Sequence, residues 1–200
     1  RDVLQWTCER GIPYMTAYVL SLENYSTRPK RELSIILKHL EREADTILTD
    51  KSHVIHRFHV KVHFIGRLAV LRSTLRQKLK AVERATRAHN QHVLNIAIAY
   101  GGQQEIVDAT KQLIKKALKG ILRPADINET MLKSHLYTNG QPNPDVIFRT
   151  GGEQRLSNFL PFQSAYSELI FTNKKWPEIT EPDFDAMLAE FSRRKRRFGA

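Results

Sequence analysis

Two arginines and a serine surround a pair of glycines in the last third of the chain. Arg149 and Arg155 flank Gly151-Gly152, and Ser157 comes two residues after the second arginine. Arginine binds phosphate oxygens through paired hydrogen bonds, consecutive glycines let backbone N–H groups approach an anion, and a serine hydroxyl adds a donor. The pattern predicts a diphosphate-binding loop. A tight turn whose arginines pair with local carboxylates is an equally good interpretation.

A carboxylate follows a little further along the chain, after an aromatic and apolar stretch. Glu168 could bind Mg²⁺, which prefers oxygen ligands and usually shares them with substrate phosphates. The more frequent role of such a glutamate is an ion pair, here with Arg149 or Arg155. The sequence alone leaves both interpretations open.

Similar polar segments follow two earlier apolar runs. Ser21 to Arg28 reads Ser-Leu-Glu-Asn-Tyr-Ser-Thr-Arg, and Gly101-Gly102-Gln-Gln-Glu follows the run that ends at Tyr100. In parallel sheets, ligands bind at the carboxyl ends of the strands. We therefore expect the three polar segments to gather at one edge of a sheet.

The elements that must position these segments alternate between two periods. The continuous apolar run 92–100 is typical of a strand buried on both faces, whereas the alternation in 58–65 indicates a strand near an edge. The pattern predicts strands over 13–20, 58–65, 92–100, 145–148 and 169–171, and helices over 1–10, from 29 onward, over 68–89, 106–118, 126–135 and 182–197. This alternation predicts an α/β fold, a single domain over residues 1–200 with a central, mostly parallel sheet surrounded by helices.

Composition limits the partners and the compartment. The formal charge of +11 favours an anionic partner, which could be nucleic acid, a phosphorylated small molecule or an acidic membrane surface. A sheet covered on both faces counts against nucleic acid, so no nucleic-acid partner is predicted.

Cys8 is the only cysteine, which excludes a disulfide framework and suits a reducing compartment. With no apolar run long enough to span a bilayer, we expect a cytoplasmic protein, with peripheral membrane contact as an option.

Taken together, these segments resemble the cis-prenyltransferase family, whose best-known member is undecaprenyl diphosphate synthase. The segment from Asp145 to Phe159 resembles the hallmark of that family, Pro-Asp-(apolar)-(apolar)-Arg-Thr-(Gly/Ser)-Gly-Glu-x-Arg-(apolar)-Ser-(Asn/Asp)-Phe. Further matching segments are 21–29 with Glu32, Phe64-Ile65-Gly66, Leu94 to Ala97 with Tyr100-Gly101-Gly102, 163–171 with Trp176-Pro177, and Arg197-Phe198-Gly199.

The resemblance implies a Mg²⁺-dependent enzyme that condenses isopentenyl diphosphate with an allylic diphosphate. It also implies an elongated apolar tunnel for the growing chain, and a homodimer in which Arg197 and Gly199 complete the neighbouring subunit's site. Two other functions stay open for such a chain. One is a non-catalytic partner subunit of a heteromeric enzyme, and the other is an irregular, head-to-middle prenyl coupling.

The same resemblance assigns roles to individual residues. Arg149, Arg155 and Ser157 would hold the diphosphate of isopentenyl diphosphate, and Glu168 would bind Mg²⁺. The remaining assignments concern the allylic end of the reaction. Ser21, Asn24 and Tyr25 would line the reacting centre, with Asn24 involved in proton removal, and Arg28 and Glu32 would serve the allylic diphosphate.

Three departures from the family pattern affect these expectations. The family places an Asp-Gly-Asn loop, with the aspartate central to Mg²⁺ binding, before the region where this sequence begins, so the aspartate is expected outside these residues. Arg67 stands where the family usually has aspartate after Ile-Gly, which could alter a local ion pair. One residue is inserted between Asn24 and Arg28, and Tyr25 replaces the usual tryptophan or phenylalanine.

Overall fold

A three-stranded parallel sheet organises the first part of the chain. The structure, a computed structural model, describes residues 2–194. Strand β1 (Tyr14–Ser21), β2 (Val60–Ile65) and β3 (His92–Tyr100) pair in the order β1-β3-β2. The central strand β3 is largely buried, which confirms the prediction for residues 92–100. Strand β2 is an outer strand of this sheet, which confirms the prediction of a strand near an edge for residues 58–65.

The longer helices of this part bury apolar residues that recur at helical spacing. In α5 (Ser73–Thr86), Leu75, Leu79 and Val82 are buried, and the helix packs on β2 and on α3 (Lys30–Thr49). The other helices of this part are α1 (Asp2–Glu9), α2 (Leu22–Thr27), α4 (Val54–Arg57), α6 (Gly102–Leu118) and α7 (Glu129–Lys133).

The prediction of one helix over 68–89 is wrong at the start of that range. A short 3-10 turn covers Leu68–Val70, and α5 begins only at Ser73. Leu71 and Arg72 have extended backbone angles, with ψ values of 153° and 145°, so the helical path is interrupted between the two elements. The interruption creates a distinct turn after β2.

The ends of β1, β2 and β3 meet through irregular backbone. The register between β1 and β3 shifts around Val19 and Ala99, and Ala99 has a φ of 47°. Gly66, at the end of β2, has a φ of 121°, and a Cβ there would overlap the Ile98 carbonyl oxygen. Only glycine allows this close approach of the two backbones.

The chain divides into two units, Arg1–Asn139 and Gly140–Ala200. In the second unit, β4 (Val146–Arg149) pairs in parallel with β5 (Glu168–Phe171), and α8 spans Glu181–Arg193. All strand pairs within residues 2–194 are parallel, so the α/β fold class with parallel strands and surrounding helices is confirmed. A single domain over 1–200 and the apolar tunnel stay predictions.

The α8 helix begins with a reciprocal cap. The N–H and hydroxyl groups of Thr180 donate to Asp183 Oδ2 at 2.9 and 2.7 Å, and Lys174 Nζ lies 2.6 Å from Asp183 Oδ1. These contacts, led by that from Lys174, lower the pKa of Asp183 to about 2. The acidic cap fixes the start of the helix to the segment that follows β5.

Cys8 lies on the buried face of α1 with a relative exposure of 5%. Burial raises the pKa of its thiol to about 11, so the group is almost entirely protonated at neutral pH. Within residues 2–194, no helix is long and apolar enough to cross a membrane.

The contact at Gly66 gives a direct test of the fold. We expect Gly66→Ala to lower the free energy of unfolding by more than about 3 kcal/mol, because it combines a positive φ with a steric overlap. Gly120→Ala is the matched control, since its φ is 68° and a Cβ there would meet nothing within 4 Å. Its cost should be only about 1–2 kcal/mol. Equal losses in urea denaturation would contradict the proposed contact.

Candidate functional site

The segment that follows β1 is helical, which the sequence reasoning missed. Ser21 is the N-cap of α2, and its Oγ accepts a hydrogen bond from the N–H of Asn24 at 2.9 Å. Arg28 is the C-cap, and its N–H donates to the carbonyl of Asn24 at 3.0 Å. Ser21, Asn24, Tyr25 and Arg28 are therefore spaced at three, four and seven residues, along one side of the helix and its caps. The signal for this helix was the serine three residues before Asn24.

Tyr25 ties this helix to the turn after β2. Its hydroxyl donates to the carbonyl oxygen of Val70 at 2.7 Å, and its ring packs against the hydrophobic core. The tyrosine that replaces the family's usual tryptophan or phenylalanine therefore makes a bond that phenylalanine cannot make. Asn24 is exposed, so its side-chain amide is available to a ligand.

The two remaining residues predicted for the allylic end lie at the junction between α2 and α3. Arg28 is half-buried, and Glu32 is exposed in the first turn of α3. A carboxylate in a first turn is favoured by the positive end of the helix dipole. The structure thus brings Ser21, Asn24, Tyr25 and Arg28 onto one short element, with Glu32 one turn beyond.

In the second unit, the structure brings together Arg149 and Ser157. Arg149 ends β4, and its Nη1 donates to Ser157 Oγ at 2.8 Å and to the carbonyl oxygen of Arg155. The guanidinium thus organises the loop that carries the other two predicted diphosphate ligands. This matches the predicted grouping of these three residues.

Arg155 is paired with a carboxylate of the same loop, as the interpretation of the segment as a tight turn predicted. Arg155 Nη1 is 2.5 Å from Glu153 Oε2, and both side chains are more than half exposed. An exposed pair of this kind contributes roughly 0–1 kcal/mol. A diphosphate, with more negative charge than a carboxylate, can therefore displace Glu153 from Arg155.

This loop also holds unusual backbone conformations. Ser157, Asn158 and Leu160 have φ values of 48°, 63° and 48°, in the left-handed region that non-glycine residues rarely adopt. Such conformations are costly and are found most often at functional sites. The cluster supports a ligand-binding role for the loop.

The prediction that the paired glycines bind an anion through their N–H groups is wrong. Gly151 N–H donates to the carbonyl of Lys174 at 2.8 Å, and Gly152 N–H donates to that of Thr172 at 2.9 Å. Their φ values of 86° and 79° turn the loop toward the end of β5. The glycines hold the loop in place, and their N–H groups are occupied by these bonds.

Glu168 pairs with neither of the arginines considered from the sequence. Its Oε2 accepts from Arg194 Nη1 at 2.9 Å, and Arg194 also contacts the Leu169 carbonyl and Glu190. Glu168 is opposite Val146 in the ladder, whereas Arg149 is opposite Phe171, so three residues, or about 10 Å, separate the two positions. The sequence reasoning did not identify Arg194.

The chemistry of Glu168 fits a shared magnesium ligand. Among residues 2–194, no group of three or more His, Cys, Asp or Glu residues could hold a metal alone. Mg²⁺ is commonly held by one or two carboxylates together with substrate phosphates, so a single carboxylate is a suitable protein contribution. A cation at Glu168 would compete with Arg194 for the carboxylate.

Arg67, the residue at the family's aspartate position, forms the ion pair considered from the sequence. Its Nε and Nη2 lie 3.0 and 2.9 Å from the two carboxylate oxygens of Asp108 on α6. The arginine holds the pKa of Asp108 below its usual range. Tyr137 donates its hydroxyl to the same carboxylate at 2.8 Å, and burial raises the pKa of that phenol.

Arg197 and Gly199, the predicted residues for a neighbouring subunit, lie outside the described residues.

Comparison with known proteins identifies a family that matches over residues 1–199, described as "Putative undecaprenyl diphosphate synthase". A tritrans,polycis-undecaprenyl-diphosphate synthase (geranylgeranyl-diphosphate specific) from Pyrococcus abyssi is 44% identical over 198 residues, covering 99% of this chain and 74% of that protein. The protein of the same description from Methanocaldococcus jannaschii is 43% identical, covering 100% of this chain and 71% of that protein.

A solved structure is also similar. The lavandulyl diphosphate synthase from Lavandula x intermedia, in complex with dimethylallyl diphosphate, matches with a TM-score of 0.90 at 31% sequence identity. The match covers 99% of this chain and 84% of that protein. The likeness therefore extends through both units of the chain.

We call residues 149–160 the arginine loop, and we expect its two arginines to behave differently when they are replaced. Arg149→Met and Arg155→Met should each weaken binding of inorganic diphosphate about tenfold to a hundredfold in calorimetry, because a lost charge-assisted contact costs roughly 1.5–3 kcal/mol. Of the two variants, Arg149→Met should also speed amide hydrogen exchange in residues 153–158, because Arg149 donates a hydrogen bond to Ser157. Arg123→Met, which removes an exposed arginine paired with Asp126, is the control. Unchanged diphosphate affinity in both variants would remove the loop from the site.

Proposed function

The chain belongs to the undecaprenyl diphosphate synthase family, and we propose that its arginine loop and its helix α2 serve different substrates of one condensation. The protein is a prenyltransferase that joins isopentenyl diphosphate to an allylic diphosphate, with cis geometry at the new double bond. The observation that carries the assignment of residues is the loop itself, in which Arg149 bonds Ser157, one of three residues there with left-handed backbone angles.

The reaction determines what the protein must supply. The bond between the allylic carbon and its diphosphate breaks, a bond forms to the terminal methylene carbon of isopentenyl diphosphate, and a proton then leaves the incoming unit. Positive charge develops on the allyl group while negative charge collects on the departing diphosphate. Fixed donors and cations stabilise that charge, and holding both substrates in attack geometry supplies much of the remaining acceleration.

Isopentenyl diphosphate is assigned to the second unit. Arg149 and Arg155 supply charge, and Ser157 supplies a hydroxyl donor. The diphosphate keeps its charge throughout the reaction, so these contacts bind and orient the substrate rather than stabilise a leaving group. Their loss should therefore raise the KM for isopentenyl diphosphate more than it lowers kcat.

The allylic substrate is assigned to the segment around α2. Arg28 would bind the departing diphosphate, and the exposed amide of Asn24 would orient the group that accepts the proton. Ser21 already accepts a hydrogen bond at its Oγ, so its hydroxyl proton is the part available to a substrate oxygen. Tyr25 fixes the helix, and Glu32 would orient Arg28 from the first turn of α3.

We propose that the reaction depends on Mg²⁺, because the chain belongs to this family and because the Glu168 carboxylate is a suitable magnesium ligand. When bound, Mg²⁺ would stabilise negative charge on a diphosphate. The contribution of this chain would be the Glu168 carboxylate, released in part from Arg194. Arg194 would remain held by Glu190 and the Leu169 carbonyl, so that it need not move far.

The allylic primer is proposed to be geranylgeranyl diphosphate, which the names of the archaeal relatives specify for those proteins. Dimethylallyl diphosphate is the alternative, because it is the ligand named for the similar solved structure. A short primer used in an irregular coupling would give a branched product rather than a longer linear chain. The two cases are separable by product analysis.

The first functional test is a product assay on the protein as its gene encodes it. Labelled isopentenyl diphosphate and Mg²⁺ are supplied with dimethylallyl, geranyl, farnesyl or geranylgeranyl diphosphate in turn, and the products are sized. We expect a long cis-prenyl product, most of it from geranylgeranyl diphosphate, and none after EDTA is added. A branched short product would indicate irregular coupling. No product with any primer would contradict the proposed activity and point to a partner subunit.

A homodimer is proposed because one helix carries an unsatisfied apolar stripe. Val107, Ile114, Leu118 and Ile121 recur at helical spacing on α6 and just beyond it, and Leu118 and Ile121 are 83% and 71% exposed. A contiguous exposed apolar patch usually marks an interaction surface. A second copy of the chain is the proposed occupant.

Contact with a membrane through the apolar product is a further proposal, tested by recovery of the enzyme with lipid vesicles when product is present.

The stripe makes a specific prediction about assembly. Ile114→Asp and Leu118→Asp should convert a dimer to a monomer in analytical ultracentrifugation, because burying a carboxylate in an apolar interface is strongly unfavourable. Ile35→Asp, at an exposed apolar position on α3, is the control and should leave the dimer intact. A dimer that persists in both stripe variants would place the interface elsewhere.

A further inference from the structure

The turn between β2 and α5 supports the helix that carries the allylic residues. Tyr25 donates its hydroxyl to the carbonyl of Val70, the last residue of the 3-10 turn. The turn is closed by its own hydrogen bonds, from Leu68 N–H to Gly66 O at 2.9 Å and from Val70 N–H to Arg67 O at 3.1 Å. The position of the Val70 carbonyl therefore depends on Arg67.

Arg67 is fixed in the fold from two directions. Its backbone N–H donates to the carbonyl of Ala99 at the end of β3, at 3.1 Å. Its guanidinium makes a two-point contact with Asp108, which lies in the second turn of α6. The turn is thus anchored both to the sheet and to the helix that follows β3.

Asp108 is in turn held by a partly buried hydrogen-bond network. Tyr137 donates its hydroxyl to Asp108 and its backbone N–H to Glu105 Oε1, at 2.8 and 2.6 Å. Glu105, which is 1% exposed, also accepts from the Tyr100 hydroxyl at 2.6 Å. Asp108 therefore presents a rigid carboxylate to Arg67, with little freedom to follow the arginine if the turn moves.

The side chain at position 67 also determines whether its interaction with Asp108 is attractive or repulsive. The aspartate that the family usually has after Ile-Gly would face Asp108 with a like charge, and repulsion would replace the two hydrogen bonds. Arginine is suited to the position because its planar fork matches both carboxylate oxygens. Lysine could supply the charge but only one point of contact.

We propose that Arg67 is a positioning residue for the allylic half of the reaction, acting through the 66–70 turn and Tyr25 on helix α2. The chain of contacts runs from Asp108 to Arg67, from Arg67 to Val70, and from Val70 to Tyr25. Ser21, Asn24 and Arg28 lie on the element that this chain holds. The inference rests on the proposed function, since it assigns the allylic substrate to α2.

Kinetics of Arg67 variants test this role. Arg67→Met should lower kcat about tenfold to a hundredfold, because a small displacement of reacting groups can cost that much. The KM for isopentenyl diphosphate should change by less than about twofold, since that substrate is assigned to another unit. Arg67→Lys should recover part of the loss. Arg123→Met is the matched control, because Arg123 makes the same two-point contact with Asp126, at 2.9 and 2.7 Å, and should leave both constants unchanged.

A double-mutant cycle separates positioning from a general effect on stability. Tyr25→Phe removes the bond to Val70 and should lower kcat in the same direction. If Arg67 acts through Tyr25, the double variant should lose no more than the worse of the two single variants. Losses in kcat that multiply would overturn the proposal. Should Arg67→Met fail to fold, Arg67→Lys replaces it in the cycle.

Hydrogen exchange gives a readout that does not require turnover. Amides of residues 22–28 should exchange faster in Arg67→Met than in the wild type, and at the wild-type rate in Arg123→Met. Unchanged exchange in Arg67→Met would overturn the positioning role, whatever the kinetics. A wild-type protein that forms no prenyl product would instead contradict the proposed function, and the exchange rates would still decide the link between Arg67 and α2.

Discussion

A close backbone contact between the ends of β2 and β3 determines the geometry around the first polar segment. Gly66 lies against the carbonyl of Ile98 where β3 is irregular, and no larger residue fits. The chain must then turn sharply, and it does so in the short 3-10 element that presents the Val70 carbonyl to Tyr25. One steric constraint in the sheet thus sets the place where the polar helix after β1 can be held.

The arginines of this chain follow two different physical regimes. Arg67 is bound to a carboxylate that a partly buried hydrogen-bond network holds in place, so its charge is used within the fold. Arg155 pairs with Glu153 on an exposed loop, where a more highly charged ligand can take the place of the carboxylate. The net charge of +11 therefore says little by itself. The rigidity of each arginine's partner separates structural from ligand-binding charge.

Periodicity predicted the strands well, because burial on one or both faces leaves a strong pattern in residues 58–65 and 92–100. Periodicity did not predict the elements whose boundaries depend on local backbone geometry. Helix α2 is too short for an apolar face, and the break before α5 comes from two extended residues. The motif at 149–157 identified the grouping of Arg149 with Ser157, but not the use of the glycine N–H groups. Those bonds, and the pairing of Glu168 with Arg194, join segments that are 20 or more residues apart, and spacing along the sequence carries no information about them.

The protected thiol in α1 makes the chain well suited to site-specific labelling. Cys8 is the only cysteine, and its buried, protonated sulfur should remain inert toward maleimides at neutral pH. A cysteine introduced on an exposed surface would then react alone, without removal of the native residue. Pairs of probes, one at Thr27 at the end of α2 and one at Gln154 on the arginine loop, would report the distance between the two units in solution. The same pair would show whether that distance changes when substrates bind.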